Sequence, residues 1–431
     1  MKLKRASTIN GTPKLPGDKS ISHRAALIAA IAKGETRIHN FSASADCVST
    51  LNCLRDLGVQ IEVEGSEVAV TGVGKSGLRS PVGPLDCGNS GTTIRLLAGI
   101  LAGQVFKSTL TGDDSLKSRP MERIAMPLTQ MGASVISTDG HAPLKIQGRN
   151  PLHPIDFRLP VASAQIKSAV LLAGLHADGK TTVIESAPTR DHTERMLELF
   201  GIEVRSEERA EKQISVNGGQ PVSPGVLKIP ADISAGSFFM VAAACLQDSY
   251  ITLCDLGINP TRSAIIDVLR SLGVVLDILN TGNDCNEPTA TVRIRGGLQA
   301  TRENVPARIS GALIPNLIDE IPILAVLGTQ LANGLEVRDA AELRHKESDR
   351  ISSIVKNLEL MGAEVAEFSD GFYVKSSRLR GAQIDAYGDH RIAMAFAVAG
   401  LLADGETEIE GADCAAVSFP GFFEILHGVV R

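Results

Sequence analysis

The residues of this chain best suited to chemistry stand at the starts of Ala- and Leu-rich stretches. "LPGDKSISHRA", Leu15 to Ala25, sets Lys19, Ser20 and Arg24 at the head of one. Further starts read "GNSGTTIR", "VASAQIKS", "PADISAGS", "NLIDEIP" and "YGDHRIA", carrying Asn89, Ser163, Gln165, Asp319, His390 and Arg391. A helix N-terminus leaves backbone N–H groups unpaired and holds about half a positive charge. Cations, hydroxyls and amides gathered there can bind an anion. Ser20, Ser163 and Asn89 also suit plain N-caps, Arg24 and Arg391 suit surface ion pairs, and His390 suits a structural role. Recurrence over most of the six starts favours the anion-binding reading.

Two more segments are patterned. In "DDSLKSRPMER", Arg119 directly precedes Pro120, which predicts a side chain reaching from a loop. In "ELRHKESDRISSIVKNLELMG", Lys346 and Arg350 are four apart, which predicts one helix face, with Glu347 on another heading; a solvated salt-bridge face has the same composition. "GVGKSG", Gly72 to Gly77, imitates a phosphate loop, but Ala69 stands where the first Gly is required.

The elements that must position these residues repeat. Each apolar helix precedes a short strand-like run, a second helix ending in a Leu/Met/Phe-Gly signature, and alternating stretches that predict paired strands. Anchored on Leu27, Leu97, Leu172, Ala242, Leu324 and Val398, the steps are 70, 75, 70, 82 and 74 residues. A period that long predicts six α/β units rather than a thin solenoid. The sixth unit stops short of its last strands, which residues before Leu15 could supply. The expected organisation is two similar α/β domains of three units: 1–17 with 230–431, and 18–229.

Composition narrows the function. The net charge of −6 argues against a general nucleic-acid binder, and 3% aromatic residues with no Trp argue against base stacking. Seven scattered cysteines without a CxxC pair suit free thiols in a reducing compartment. The absence of a leader-like or long apolar stretch adds to the expectation of a cytoplasmic protein with no membrane partner.

"LPGDKSISHRA", "GNSGTTIRLL", "KSRPM", "SAQIKSAVLLAGL", "TRDHTERML", "IDEIPILA", "RHKESDRI", "DHRIAMAF" and "SFPGFF" together resemble the 3-phosphoshikimate 1-carboxyvinyltransferase (EPSP synthase) family of enolpyruvyl transferases, in order and over almost the full chain. The resemblance implies six βαβαββ units in two domains, with substrates in the interdomain cleft and the N-terminal strand joining the C-terminal domain. It implies transfer of the enolpyruvyl group of phosphoenolpyruvate to the 5-hydroxyl of shikimate 3-phosphate, through a tetrahedral intermediate, by a monomer without metal or organic cofactor. By motif, Lys19, Gly91, Arg119, Gln165, Arg350 and Arg391 would hold phosphoenolpyruvate. Lys19, Ser20, Arg24, Ser163, Ala164, Gln165, Arg190, Asp319 and Lys346 would hold shikimate 3-phosphate. Asp319 would be the base for the hydroxyl, with Glu347 and Lys19 protonating C3. The seven cations Lys19, Arg24, Arg119, Arg190, Lys346, Arg350 and Arg391 are expected to repel one another until anions bind.

Departures from the family pattern are specific. Ala164 replaces a Ser common in relatives and offers only backbone. Arg190 would take over from a Tyr usual near residue 189, and Val417 stands where a Lys often contacts phosphoenolpyruvate. Leu96 replaces a common Pro. "SAQIKS" and "TRDHTE" resemble the branch tolerant of glyphosate, whereas Gly91 is the small residue associated with sensitivity. One rival is the sister transferase acting on UDP-N-acetylglucosamine, but "GDDSLKSRP" lacks its loop Cys and "KESDR" favours the shikimate enzyme. A non-catalytic anion-binding domain is disfavoured by the retained carboxylates.

Overall fold

The computed structural model describes residues 1–208, 210–299 and 305–431. Its main helices, in chain order, are α1 (Lys19–Ala30), α2 (Ala45–Asp56), α3 (Gly91–Ala102), α4 (Glu122–Gln130), α5 (Ala164–Gly174), α6 (His192–Leu199), α7 (Ile233–Cys245), α8 (Ala264–Ser271), α9 (Ile321–Gly328), α10 (Arg350–Leu360), α11 (His390–Leu402) and α12 (Phe422–Val429). The six repeat anchors fall on the odd-numbered helices. Beyond their polar N-terminal turns these are apolar because they are buried: every residue of α9 is buried, as is α7 from Ile233 to Ala244. The even-numbered helices are two-faced. In α8, Ile265, Ile266, Val268 and Leu269 pack inward while Asp267 and Arg270 face water.

The strands repeat one order. Asp156–Arg158 lies parallel to Lys180–Glu185, which pairs antiparallel with Lys212–Asn217, which pairs antiparallel with Val204–Glu208. A parallel pair needs a long crossover, here α5, and α6 leads to the closing hairpin, so the path is βαβαββ. Sheets led by Leu85–Asp86 and Ala307–Ile309 follow the same order.

The remaining three sheets borrow a strand. Val226–Lys228 returns to lie parallel to Lys33–His39, and Asn10–Gly11 lies parallel to Tyr250–Gly257. Lys2–Lys4 pairs antiparallel with Glu406–Glu410, itself parallel to Gln383–Asp385. The residues before Leu15 thus give the sixth sheet one strand rather than its full complement, and their second strand opens the fourth sheet. The backbone beyond Lys4 is taken elsewhere: Ala6 N donates to Leu401 O, and Ser7 N to Arg431 O.

The chain divides into two compact units, Met1–Pro16 with Ala231–Asn283 and Pro288–Arg431, and Gly17–Pro230 with Asp284–Glu287. Each has its own apolar core. In the second unit α3 and α5 pack backbone against backbone: a Cβ on Gly99 would lie 2.3 Å from the Ala169 carbonyl oxygen. Asp284–Glu287, the turn between Val275–Asp284 and Glu287–Arg295, belongs with that unit. His192 Nδ1 lies 2.7 Å from Glu287 Oε1, and Arg195 donates to the Asn286 carbonyl at 2.8 Å.

Candidate active site

In the second unit, side chains join the starts of the buried helices. Asp18 caps α1 by accepting from Ile21 N, and Ser90 caps α3 by accepting from Thr93 N. Ser20 and Asn89 are therefore not the caps. Ser163 does cap α5, accepting from Ile166 N at 3.4 Å, and its own O–H stays available to donate. Gln165, second residue of α5, spans to α3: its Oε1 accepts from Arg95 Nη1 at 2.5 Å and its Nε2 donates to Thr92 Oγ1 at 3.1 Å. Ala164 opens α5 beside it with backbone alone.

Arg24 is buried and held in place by neutral acceptors. Its Nε donates to Thr193 Oγ1 at 2.7 Å, Nη1 to the Ser20 carbonyl at 2.8 Å and Nη2 to Ser168 Oγ at 3.0 Å. Burial brings it down to about 10, opposed by Glu194 and Asp18 and assisted by the charge of Arg190. The last effect places Arg190 within electrostatic reach of Arg24. Below them Lys167, fully buried, bridges Glu185 at 3.1 Å and Glu194 at 2.6 Å.

Lys19, first residue of α1, contacts Asp46 at 2.9 Å. Arg119 follows a short helix, Asp114–Lys117, and reaches back from the loop to Asn89 Oδ1 at 2.7 Å and Ser115 Oγ at 3.2 Å. Gly91 opens α3, and a Cβ there would lie 2.9 Å from Arg95 Nη1 and 3.2 Å from Arg119 Nη1. His23 is neutral, pushed down to about 3 by burial, and its Nδ1 lies 2.6 Å from Thr50 Oγ1. Thr50 continues to Thr93 at 2.6 Å and Thr93 donates to Ser90 at 2.8 Å, so α1 is tied to the start of α3. The false phosphate loop is a strand end and turn, with Lys75 donating to the Leu175 carbonyl at 3.2 Å.

The first unit gathers three more helix starts. Arg391, second residue of α11, donates through Nη1 to the Asp319 carbonyl at 2.9 Å and to Ser234 Oγ, on the second residue of α7, at 3.1 Å. Its Nε lies 3.5 Å from Asp319 Oδ1, and Arg350 Nη1 lies 3.6 Å from the same oxygen. Asp389 caps α11 and also accepts from Arg350 Nε at 2.8 Å, while Arg350 Nη2 donates to Glu347 Oε2 at 2.5 Å. Burial would lower the Arg350 guanidinium, but Asp389 and Glu347 outweigh it and hold it above its ordinary value.

Lys346 and Arg350 do not share a helix face, contrary to their spacing. Asp349 accepts from Ser352 N and starts α10 at Arg350, whereas Lys346 is extended after a 3-10 turn, Ala341–His345. An Asp at this position stops the helix from extending backward by capping it. The Lys346 amine sits below the ordinary lysine value through burial, with Asp319 pulling the other way. The expected repulsion among cations is offset at Arg350 and Arg391, which face carboxylates before any ligand arrives, while Arg190 still acts against Arg24 and Arg350 against Lys346.

Three residues escaped the sequence reading. Glu320, fully buried, accepts from Arg262 Nη1 at 2.8 and 3.0 Å, and Ser234 hydrogen-bonds both. Glu320 adjoins Asp319 in "IDEIP", but Arg262 is 58 residues away, and no local pattern joins them. Of the departures, Leu96 is fully buried on α3, and Val417 ends a 3-10 turn, Ala412–Val417, half-buried.

Comparison with known proteins agrees over the full length. The family model for EPSP synthase (3-phosphoshikimate 1-carboxyvinyltransferase) matches residues 3–426. The 3-phosphoshikimate 1-carboxyvinyltransferase of Salinibacter ruber is 48% identical over 432 residues, 99% of this chain and 98% of the relative. That of Desulforamulus reducens is 49% identical over 427 residues, 98% of this chain and 97% of its own. The solved EPSP synthase of Acinetobacter baumannii superposes with a TM-score of 0.86 at 40% identity, covering 99% of this chain and 97% of that one. Arginines and carboxylates converging on buried helix starts, in a fold and sequence shared from end to end, place this chain in the EPSP synthase (3-phosphoshikimate 1-carboxyvinyltransferase) family of enzymes.

Proposed function

We propose that the two clusters carry out the reaction of the family: the enolpyruvyl group of phosphoenolpyruvate moves to the 5-hydroxyl of shikimate 3-phosphate and phosphate leaves. Both substrates carry a phosphate and a carboxylate, so cations and helix starts dominate their binding. Lys19, Gly91, Arg119, Gln165, Arg350 and Arg391 hold phosphoenolpyruvate. Lys19, Ser20, Arg24, Ser163, Ala164, Gln165, Arg190, Asp319 and Lys346 hold shikimate 3-phosphate, with Arg190 and Arg24 on its phosphate. In the addition step Asp319 takes the hydroxyl proton as oxygen bonds to C2, and Glu347 with Lys19 delivers a proton to C3. In the elimination step C3 returns its proton, the double bond reforms and the C2–O bond to phosphate breaks.

The observation that carries this reading is Asp319, whose carboxylate lies 3.5 and 3.6 Å from Arg391 and Arg350, two of the phosphoenolpyruvate cations. A base held against those cations meets the hydroxyl where the acceptor carbon must sit. Phosphate release with phosphoenolpyruvate should require shikimate 3-phosphate, and UDP-N-acetylglucosamine should not replace it. Release with the nucleotide sugar alone would transfer the reading to the sister enzyme.

The reading also takes the two compact units as the two domains of the family, and the chain as a cytoplasmic monomer with no nucleic-acid or membrane partner. No metal or organic cofactor enters it. Three of the free thiols, Cys47, Cys53 and Cys87, are buried, and burial pushes Cys47 up to about 12. Among the described residues no single helix is long and apolar enough to cross a membrane. Sedimentation at micromolar concentration tests the monomer.

A further inference from the structure

We propose that the buried Arg262–Glu320 pair is a positioning device for Asp319, holding a guanidinium at a fixed stand-off from the base. Arg262 donates to both Glu320 oxygens at 2.8 and 3.0 Å, while its Nη2 stops 3.9 Å from Asp319 Oδ2. Glu320 is fully buried and Arg262 is 4% exposed, so neither can relax into solvent. Ser234 hydrogen-bonds Arg262 and Glu320 and accepts from Arg391, which locks the pair to the cation beside the base.

Among the charges facing Asp319 are Arg262, Arg350, Arg391 and Lys346. Glu347 and Asp389 lie against Arg350, and Asp232 caps α7 alongside. Arg350 is held by Asp389 and Glu347, and Arg262 by Glu320 and Ser234. With Glu320 holding its fork, Arg262 stays out of hydrogen-bond range of the base, so Asp319 keeps a carboxylate able to take a proton. This rests on Asp319 being the base.

The test is the pH dependence of single-turnover rate at saturating substrates, whose acid limb reports protonation of the base. Glu320→Gln removes a negative charge and frees Arg262 toward Asp319, so the limb should move down by about one unit. Arg262→Gln leaves Glu320 unpaired beside Asp319, so the limb should move up by about one unit. The double variant should return near the wild-type limb. A merely structural pair would lower the rate without opposite shifts, and shifts of one sign or none overturn the proposal. If either glutamine variant fails to fold, Arg262→Lys retains the charge but withdraws the fork; its limb should rise by a few tenths, and a fixed limb overturns the proposal. Asp319→Asn is measured in parallel. Persistence of the wild-type limb there removes the base assignment itself, whereas its loss with unmoved Glu320 and Arg262 variants removes only the positioning role.

Discussion

The site arginines of the two units, Arg24 and Arg119 in one and Arg262, Arg350 and Arg391 in the other, are held by opposite means. In the second unit, Arg24 donates to Thr193, Ser168 and a carbonyl, and Arg119 to Asn89 and Ser115. In the first, Arg262 lies on Glu320, Arg350 on Asp389 and Glu347, and Arg391 against Asp319. A neutral acceptor fixes a guanidinium without cancelling its charge, which suits a group meant to meet phosphate. A carboxylate fixes it and offsets part of its charge, leaving alternating acids and cations of the kind proton transfer needs beside the proposed phosphoenolpyruvate cations Arg350 and Arg391. Lys19, paired with Asp46, departs from Arg24 and Arg119, and it is also the residue of that cluster proposed to handle a proton. The division therefore follows the chemistry rather than the fold, which both units share.

The sharpest break in that contrast is Asp319→Asn. The amide keeps the volume and cannot take the hydroxyl proton, so turnover should fall about 100-fold or more while both substrates still bind. Rapid-quench turnover beside equilibrium binding of shikimate 3-phosphate checks it. Turnover near wild type would make the acidic cluster structural and erase the division of labour.

Next in size is an acid sensitivity particular to the second unit. His23 has a folded value of about 3 against an ordinary 6.5, through burial, with Asp46 opposing and Lys19 and Arg24 assisting. The unfolded chain takes up this proton below 6.5 and the folded unit does not. The stabilisation is complete above 6.5 and is lost as pH falls from 6.5 toward 3, at about 1.4 kcal/mol per pH unit. His23→Gln should flatten the decline by that slope, read from urea midpoints by circular dichroism between pH 7 and pH 5. An unchanged slope would show that His23 titrates freely in the folded protein.

Thr193→Val tests the neutral clamp. It removes an acceptor from Arg24 Nε and a partner from Ser168 Oγ, which lie 2.7 and 2.6 Å away, but leaves every charge in place. The expected result is about a tenfold rise in KM for shikimate 3-phosphate with kcat within about threefold, the pattern of lost uniform binding. A fall in kcat with unchanged KM would mean that Arg24 acts on the transition state instead.

Much of the architecture was legible because each repeat buries one helix completely. The anchors from Leu27 to Val398 mark a run of small apolar residues that only an enclosed helix tolerates. The destinations of short strands were less legible: Asn10–Gly11 and Lys2–Lys4 are close in sequence yet enter different sheets, a choice made by backbone partners hundreds of residues away. The same applies within the site. Asp319, Arg350 and Arg391 stand in distinctive local strings, whereas Arg262 and Ser234 reach Glu320 from 58 and 86 residues off. Lys346 and Arg350 show the reverse failure, a helical spacing overruled by the cap at Asp349.

The smallest expected effect sits at Gly91, which opens α3 beside Arg119 and is proposed to border phosphoenolpyruvate. The nearest atoms to the Cβ of Gly91→Ala would be the ends of two flexible side chains, Arg95 Nη1 at 2.9 Å and Arg119 Nη1 at 3.2 Å. Both guanidiniums can shift by a few tenths of an ångström, so the fold should survive at little cost. The shift has a functional consequence because Arg95 fixes Gln165 and Arg119 is a proposed phosphoenolpyruvate ligand. Glyphosate, longer than phosphoenolpyruvate, needs the vacated space and the undisplaced arginines more acutely. Gly91→Ala should therefore raise KM for phosphoenolpyruvate by a few-fold and the glyphosate inhibition constant by a distinctly larger factor. Leu96 is buried one turn on and stays in place in either variant, so the comparison isolates the helix start. Equal weakening of both ligands would show that the methyl acts only by moving Arg119, and that Gly91 does not itself border the part of the site that tells the two ligands apart.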